Sequence, residues 1–303
     1  MTTTEPLRPI AVLGLGRMGE ALALALRKAG FTVAAWNRTP AKGAAVVAAG
    51  GRLAATPEAA VADAQLVVVC VTDHAATEDL VMTPAMAAAL KGKTLVQSTS
   101  ASVDEAKALA AWCAGAGVAY LDGTILGYPG DILAGRCPVV YSGPKPLYDA
   151  HAAAFQAMGG KPLYAGPTIG AAPAFSRAIN AYSFAGWLGF FHVAALCQKA
   201  GFPIETFAEV AIDMLSSRQE AMRLFAGHMV ARDYSKHQAA LERYAHAYDR
   251  AVDLTRASGI DLDLAETVQR AFRRAMDAGR GEEALSVLFE QMIAPDDSQG
   301  GKR

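Results

Sequence analysis

The chain has 303 residues, 52% of them hydrophobic, and a formal net charge of −1. That length suits one large or two ordinary domains, and the apolar share is ample for a sizeable core. The near-neutral balance removes any electrostatic case for nucleic acid or an anionic membrane surface as a partner.

Residues 9–13 are an apolar run ending at Gly14, followed by Leu15, Gly16, Arg17, Met18 and Gly19. Residues 20–29 then read as a helix closed by Gly30. Strand, glycine turn and helix in this order point to dinucleotide binding. The first glycine allows the tight turn, the second lets backbone approach a pyrophosphate, and the third lets helix pack on strand. The next strand, 31–36, ends in Asn37-Arg38-Thr39, with Lys42 a turn further on. An NAD enzyme usually places an acid here to hold the ribose hydroxyls. An acid would repel a 2′-phosphate, whereas Arg38 and Lys42 attract one and Thr39 can hydrogen-bond it. The expected cofactor is therefore NADP(H).

Alternation continues with a strand at 51–54, a helix capped by Thr56-Pro57-Glu58, and a buried strand at 66–71. Thr72, Asp73 and His74 follow at the carboxyl edge, where ligands of open α/β sheets sit. Strand 94–97 leads to Ser98-Thr99-Ser100, and Ser102 to Glu105 is a capping box. Val71, Thr72, Asp73, Thr99 and Ser100 are expected to face the cofactor, Thr99 also the substrate, and His74 to be a loop residue nearby. Strands at 119–121, 137–142 and 161–165, with a helix over 144–158, complete a doubly wound sheet.

Residues 178–197 carry no Asp, Glu, Lys or Arg. With Pro173 in a first turn and Gly201 and Pro203 as stops, they predict one helix of about 28 residues, roughly 42 Å long. Asn180, Ser183 and His192 within it argue against a membrane span, although its length would suffice. A helix apolar nearly all round must be covered, and a second subunit is the expected cover. Helical periodicity then runs through 203–215, 219–232, 236–257, 262–278 and 282–292. The expected division is 1–165, 166–201 and 202–303. Cys70, Cys113, Cys137 and Cys197 lack CxxC spacing, and the histidines lack ligand spacing, so no disulfide or metal site is expected. The N-terminus has no apolar signal core, which suggests a cytoplasmic setting, and the polar tail 296–303 is expected to be disordered.

These residues resemble the β-hydroxyacid dehydrogenase superfamily and, within it, the imine reductases and reductive aminases. The GLGRMG turn and the NRT segment are common to the superfamily. Where hydroxyacid dehydrogenases carry a DAPVSGG-like segment gripping a carboxylate, this chain keeps Asp122 but has Leu126 at the serine position and Tyr128 at the second glycine. It looks like the LDGAI…YP stretch of imine reductases. Where the dehydrogenases have the lysine of GxGxxxKxxxN, this chain has Ser176, and Asn180 keeps the asparagine. Imine reductases also lack the lysine but commonly place Asp or Tyr there, so Ser176 departs from both patterns.

The resemblance implies a Rossmann domain, a long interdomain helix and an all-α C-terminal domain exchanged in a homodimer. It implies NADPH as cofactor and an imine, or a ketone plus an amine, as substrate. Ser176 and Asn180 are then candidates to hydrogen-bond the iminium N–H, and Tyr128 to line the pocket or donate a proton. Leu126 joins the pocket wall, and Tyr234, His237, Gln238 and Tyr244 are candidates to reach the other subunit's cleft. Two rival readings stand beside this one. The first is an NADP-dependent hydroxyacid dehydrogenase with relocated catalytic groups, and the second a non-catalytic NADP(H)-binding sensor.

Overall fold

A computed structural model describes residues 9–293. The expectations about the N-terminal stretch before Pro9 and about the tail 296–303 lie outside these residues. The chain divides into two compact units, Met1–Tyr182 and Ser183–Arg303.

The first unit is built on an eight-stranded sheet of order β3-β2-β1-β4-β5-β6-β7-β8. Its strands are β1 Ile10–Leu13, β2 Val33–Trp36, β3 Arg52–Leu53, β4 Leu66–Val69, β5 Thr94–Gln97, β6 Ala119–Ile125, β7 Cys137–Ser142 and β8 Gly160–Tyr164. The intervening helices are α1 Arg17–Lys28, α2 Ala44–Ala48, α3 Pro57–Val61, α4 His74–Val81, α5 Pro84–Leu90, α6 Val103–Ala116, α7 Pro129–Leu133, α8 Lys145–Ala150 and α9 Ala152–Ala157. α10, Ala171–Lys199, is one continuous helix, and the boundary between the two units falls within it. Beyond it come α11 Ile204–Asp213, α12 Leu215–Ala231, α13 Leu241–Ala257, α14 Asp263–Asp277 and α15 Leu288–Ile293.

Every strand pair in the sheet is parallel except β6 with β7. The connection from Ile125 to Cys137 holds only the short α7, too little chain for a full crossover, so β7 returns antiparallel. β1 alternates between two cores. Ile10 and Val12 pack with Leu22, Leu26 and Phe155, while Ala11 and Leu13 pack with Val67, Val69, Leu90 and Leu109. Both faces are covered, which is why these strands read as unbroken apolar runs. β1 lies between β2 and β4, so the chain leaves it towards opposite sides, and the crevice at its carboxyl end is the topological switch point.

The second unit has a small core of Tyr234, Leu241, Phe272, Ala275, Ala284 and Val287. Several boundaries differ from the periodicity reading. The helix expected from 236 begins at Leu241. Before it, the Ser235 N–H and hydroxyl both donate to Asp233 Oδ1, and Ala240 bridges Ala284. Such local bonds offer the backbone an alternative to helix. The helix expected over 144–158 breaks at His151, whose ring meets Thr94 Oγ1 at 3.0 Å. The last helix opens with a 3-10 turn at Leu285–Val287. His74, expected in a loop, is instead the first residue of α4, capped by Asp73 and 5% exposed. Among the described residues no helix is long and apolar enough to cross a membrane, and no cluster has the makings of a metal site. Cys70, Cys113 and Cys137 are buried, Cys197 is half-buried, and all four are free thiols.

Candidate functional site

The three glycines of the turn after β1 fall into two classes, two closed to a side chain and one open. Gly14 has φ +98°, and a Cβ there would lie 2.2 Å from the Cys70 carbonyl oxygen. A Cβ on Gly19 would lie 2.0 Å from the Gly14 carbonyl oxygen. Both positions are closed by backbone. At Gly16 a Cβ would meet nothing within 4 Å. Gly16 is also the N-cap of α1, and no side chain caps that end. An open space above uncapped helix N–H groups is what a dinucleotide pyrophosphate requires, so the residues fit the group. Beside this turn, burial pushes the Cys70 thiol up to about 11, which leaves it an inert wall.

The turn after β2 supplies the adjoining edge. Arg38, Thr39 and Lys42 are exposed. Asn37 stands where an acid would select a free ribose, and both ends of its amide are engaged. Oδ1 accepts the Leu15 N–H at 2.8 Å, and Nδ2 donates to the Thr39 carbonyl at 3.0 Å. Asn37 therefore ties the two turns together.

The carboxyl ends of β4 and β5 are joined by buried hydroxyls. Thr99 Oγ1 accepts the Val71 N–H at 2.9 Å, and Gln97 Nε2 donates to Thr77 Oγ1 at 3.0 Å. Thr77 and Thr99 hydroxyls are 3.4 Å apart. Thr99, expected at the cofactor and substrate, is buried and committed to this network, whereas Ser100 and Thr72 are exposed at the same edge. The Asp73 carboxylate caps α4 by accepting the Ala76 N–H at 2.8 Å. Neither ring nitrogen of His74 has a hydrogen-bond partner, and Nε2 lies 3.5 Å from Glu78 Oε1.

The start of α10 reaches the same edge, because the Arg177 guanidinium donates to the Ala101 carbonyl at 3.0 Å. Ser176 is half-buried and Asn180 exposed, one turn apart on this helix. Leu126 is half-buried, with its N–H on the Pro138 carbonyl at 2.9 Å. Tyr128 is 78% exposed at the entry to α7, a segment that packs against α1. Its N–H donates to Asp131 Oδ2 at 3.1 Å, and Arg136 Nε donates to Oδ1 at 2.8 Å. The Arg136 hydrogen bond, then the Tyr128 N–H, hold the Asp131 carboxyl below the usual carboxylate range, so it stays ionised. Sequence reasoning passed over Ser142 and the partners of Asp122. Yet Asp122 is a charged residue inside a buried strand, and that alone signals a group that must be satisfied.

In the second unit the pocket candidates are dispersed. Tyr234 is buried, donates its hydroxyl to Glu290, and lies under the Arg280 guanidinium at 5.5 Å. His237 Nε2 donates to the Glu282 carbonyl at 2.9 Å. Gln238 and Tyr244 are exposed. Tyr234 thus serves the core of its own unit, because an aromatic this deeply buried must find its hydroxyl a local partner.

Residues 9–166 match the family model described as the NAD binding domain of 6-phosphogluconate dehydrogenase. Residues 169–294 match the NADPH-dependent reductive aminase-like C-terminal domain. The chain is 25% identical, over 93% of its length and 96% of the relative's, to an NADPH-dependent reductive aminase of Aspergillus oryzae. Among solved structures it resembles an imine reductase from Myxococcus stipitatus in complex with NADP+, with 28% identity and a TM-score of 0.81 over 94% of this chain and 99% of that one. It is similar also to a reductive aminase from Aspergillus terreus in complex with NADPH and ethyl levulinate, at 28% identity and a TM-score of 0.79 with the same coverage. With an open glycine cradle on a doubly wound sheet and a reductive aminase-like segment behind it, this chain belongs to the imine reductase and reductive aminase family of the 6-phosphogluconate dehydrogenase-like superfamily.

Proposed function

We propose that the protein is an NADPH-dependent reductase of C=N bonds, taking a cyclic imine or iminium, or the imine formed from a ketone and an amine. The observation that carries this reading is the open cradle at Gly16 joined to a C-terminal segment of the reductive aminase-like type. The exposed Arg38, Thr39 and Lys42, with no acid at the end of β2, support a 2′-phosphorylated cofactor. The cofactors named with the Myxococcus stipitatus and Aspergillus terreus structures are NADP+ and NADPH.

The N–H groups at the start of α1 hold the pyrophosphate, and Arg38 and Lys42 neutralise the 2′-phosphate. When bound, the reduced nicotinamide supplies hydride to the imine carbon. Ser176 and Asn180 hydrogen-bond the iminium N–H or the product amine. An iminium that arrives already protonated from water needs no strong side-chain acid, and the protein's work is then orientation and exclusion of water. Where the imine arrives neutral, a proton must reach its nitrogen as hydride reaches its carbon, and Tyr128, exposed on the segment that packs against α1, is the side chain best suited to donate it.

A homodimer with exchanged helices belongs to this proposal. Phe184, Trp187, Leu188 and Phe191 on α10, and Val210 and Ile212 on α11, are all more than half exposed. An apolar surface of this kind calls for a protein cover. The free thiols fit a reducing, cytoplasmic setting. The test is NADPH oxidation by purified protein with a pyrroline and a dihydroisoquinoline, beside NADP+ reduction with small β-hydroxy acids. Turnover of imines alone is expected. Turnover of the hydroxy acids would replace the proposal by the dehydrogenase reading, and tight cofactor binding without any turnover by the sensor reading.

A further inference from the structure

The Asp122 carboxylate on β6 is 1% exposed, and three neutral donors converge on it. The Tyr120 hydroxyl donates to Oδ1 at 2.8 Å, and the Ser142 hydroxyl donates to Oδ2 at 2.8 Å. Oδ2 also accepts the Gly170 N–H at 2.6 Å. Ser142, at the end of β7, in turn accepts the Ala172 N–H at 2.9 Å. Burying a carboxylate is costly unless its oxygens find donors, and these three hydrogen bonds supply them.

What the carboxylate holds is the start of α10. Gly170 immediately precedes the helix, and Ala172 is its second residue. Their N–H groups are among those every helix leaves without internal partners. A cap usually comes from the residue before the helix, but Gly170 has no side chain to offer. The cap comes from the sheet instead, across 48 residues for Asp122 and 30 for Ser142. The same start is pinned from a second side. Gly170 has φ +90°, and a Cβ on it would lie 2.8 Å from Val103 Cγ1 at the head of α6. Arg177 then ties the second turn to Ala101. Ser176 lies one turn beyond Ala172, and Asn180 one turn beyond that.

We propose that Asp122 and Ser142 are positioning residues that cap α10 from the sheet and thereby fix Ser176 and Asn180 at the carboxyl edge. This rests on the reading that those two side chains meet the substrate. The carboxylate makes the device directional. Ser142 donates to it, which leaves the serine lone pairs for Ala172. Asparagine at 122 can keep its carbonyl towards Ser142 and Gly170 and turn its NH2 to the Tyr120 oxygen, whereas alanine leaves the Gly170 N–H buried and unpaired.

The test compares Asp122→Ala, Asp122→Asn and Ser142→Ala with the unmodified chain. Three quantities are read: amide hydrogen exchange over 170–180 and over 15–28 without cofactor, the NADPH dissociation constant, and kcat with a cyclic imine. Asp122→Ala is expected to speed exchange over 170–180 about tenfold or more while 15–28 stays protected. Its NADPH affinity should stay within about twofold and its kcat fall about tenfold or more. Asp122→Asn should restore most of both losses. Should Asp122→Ala not fold, Ser142→Ala decides, since it strips the cap from Ala172 and leaves the Gly170 bond. Unchanged exchange over 170–180 would overturn the proposal, as would equal loosening of both segments with asparagine no better than alanine. If the unmodified protein reduces no imine, the functional reading fails, and the exchange data alone decide whether the cap exists.

Discussion

Leu15 and Asn37 are joined by a hydrogen bond of 2.8 Å, from the backbone N–H in the glycine turn to the amide oxygen at the end of β2. Because Asn37 also donates to the Thr39 carbonyl at 3.0 Å, one side chain sets the spacing between the glycine turn and the basic turn. Asn37→Ala strands the Leu15 N–H, a loss of about 1–2 kcal/mol. The KM for NADPH is expected to rise about tenfold while kcat stays within about twofold, because the catalytic edge is untouched. Steady-state kinetics check this, and an unchanged KM would make the amide a bystander.

The three glycines of the turn should separate folding from binding. Gly14→Ala forces a Cβ into the Cys70 carbonyl at φ +98°, and Gly19→Ala forces one into the Gly14 carbonyl. Each is expected to destabilise the cofactor-free protein by about 3 kcal/mol or more. Gly16 has φ −69° and open space around its Cα, so Gly16→Ala should melt within a degree or two of the unmodified chain. Its NADPH affinity should nevertheless fall at least about tenfold, since the added methyl occupies the cradle. Thermal melts beside fluorescence titration test all three, and normal NADPH affinity in Gly16→Ala would remove the cradle from the site.

The strand, glycine turn and helix at the start of the sheet were legible in the sequence because all their determinants are consecutive and lie within about twenty residues. α10 was legible for a similar reason, since its uncharged run needs no partner to be recognised. The cap on its first turn was not. Asp122 could be singled out as a charge in an apolar strand, but its partners Ser142 and Gly170 are 20 and 48 residues away, and only the folded sheet brings them together. The direction of β7 was likewise not legible, because it is set by the short connection carrying α7, which returns the strand antiparallel. In the second unit, periodicity extended α13 too early because the Asp233–Ser235 turn leaves no hydrophobic signature.

Arg38 and Lys42 should carry the choice of cofactor. Both are exposed, so each charge contact to a 2′-phosphate is worth about 1 kcal/mol. Replacing both by alanine is expected to raise the KM for NADPH about tenfold or more and to leave that for NADH within about threefold. The effect should shrink at high salt. Equal losses for the two cofactors would mean that these side chains stabilise the turn and read no phosphate.

The head of α6 should respond to acid. Ser102 N–H donates to Glu105 Oε2 at 2.6 Å, and Glu105 N–H donates to Ser102 Oγ at 3.2 Å. Chiefly the Ser102 N–H, then its hydroxyl, lower the Glu105 carboxyl below its ordinary value. A depressed carboxylate contributes stability that is present above the unfolded pKa and lost as pH falls through the folded one. Glu105→Ala should therefore melt lower than the unmodified chain near neutrality, with the gap closing below about pH 4. Because Glu105 is exposed, the gap is small, and one that persists in acid would show that helix propensity rather than the charged cap is being measured.

Ser176 tests the proton economy of the proposed reaction. A serine hydroxyl is too weak an acid to supply the proton, so if Ser176 only orients the iminium N–H, its loss removes one hydrogen bond. That corresponds to about 0.5–1.5 kcal/mol, and Ser176→Ala should keep at least about a tenth of the activity. The pH profile carries the second half of the argument. With the substrate protonated in water, the rate should fall as pH rises through the pKa of the iminium itself. That pKa should move when one imine is exchanged for another and stay put in Ser176→Ala. A loss of several orders of magnitude in Ser176→Ala would make the serine part of a proton relay. A profile that ignores the choice of imine would point to an enzyme group as donor, and Tyr128→Phe is then the variant to measure, because its hydroxyl is exposed on the segment that packs against α1.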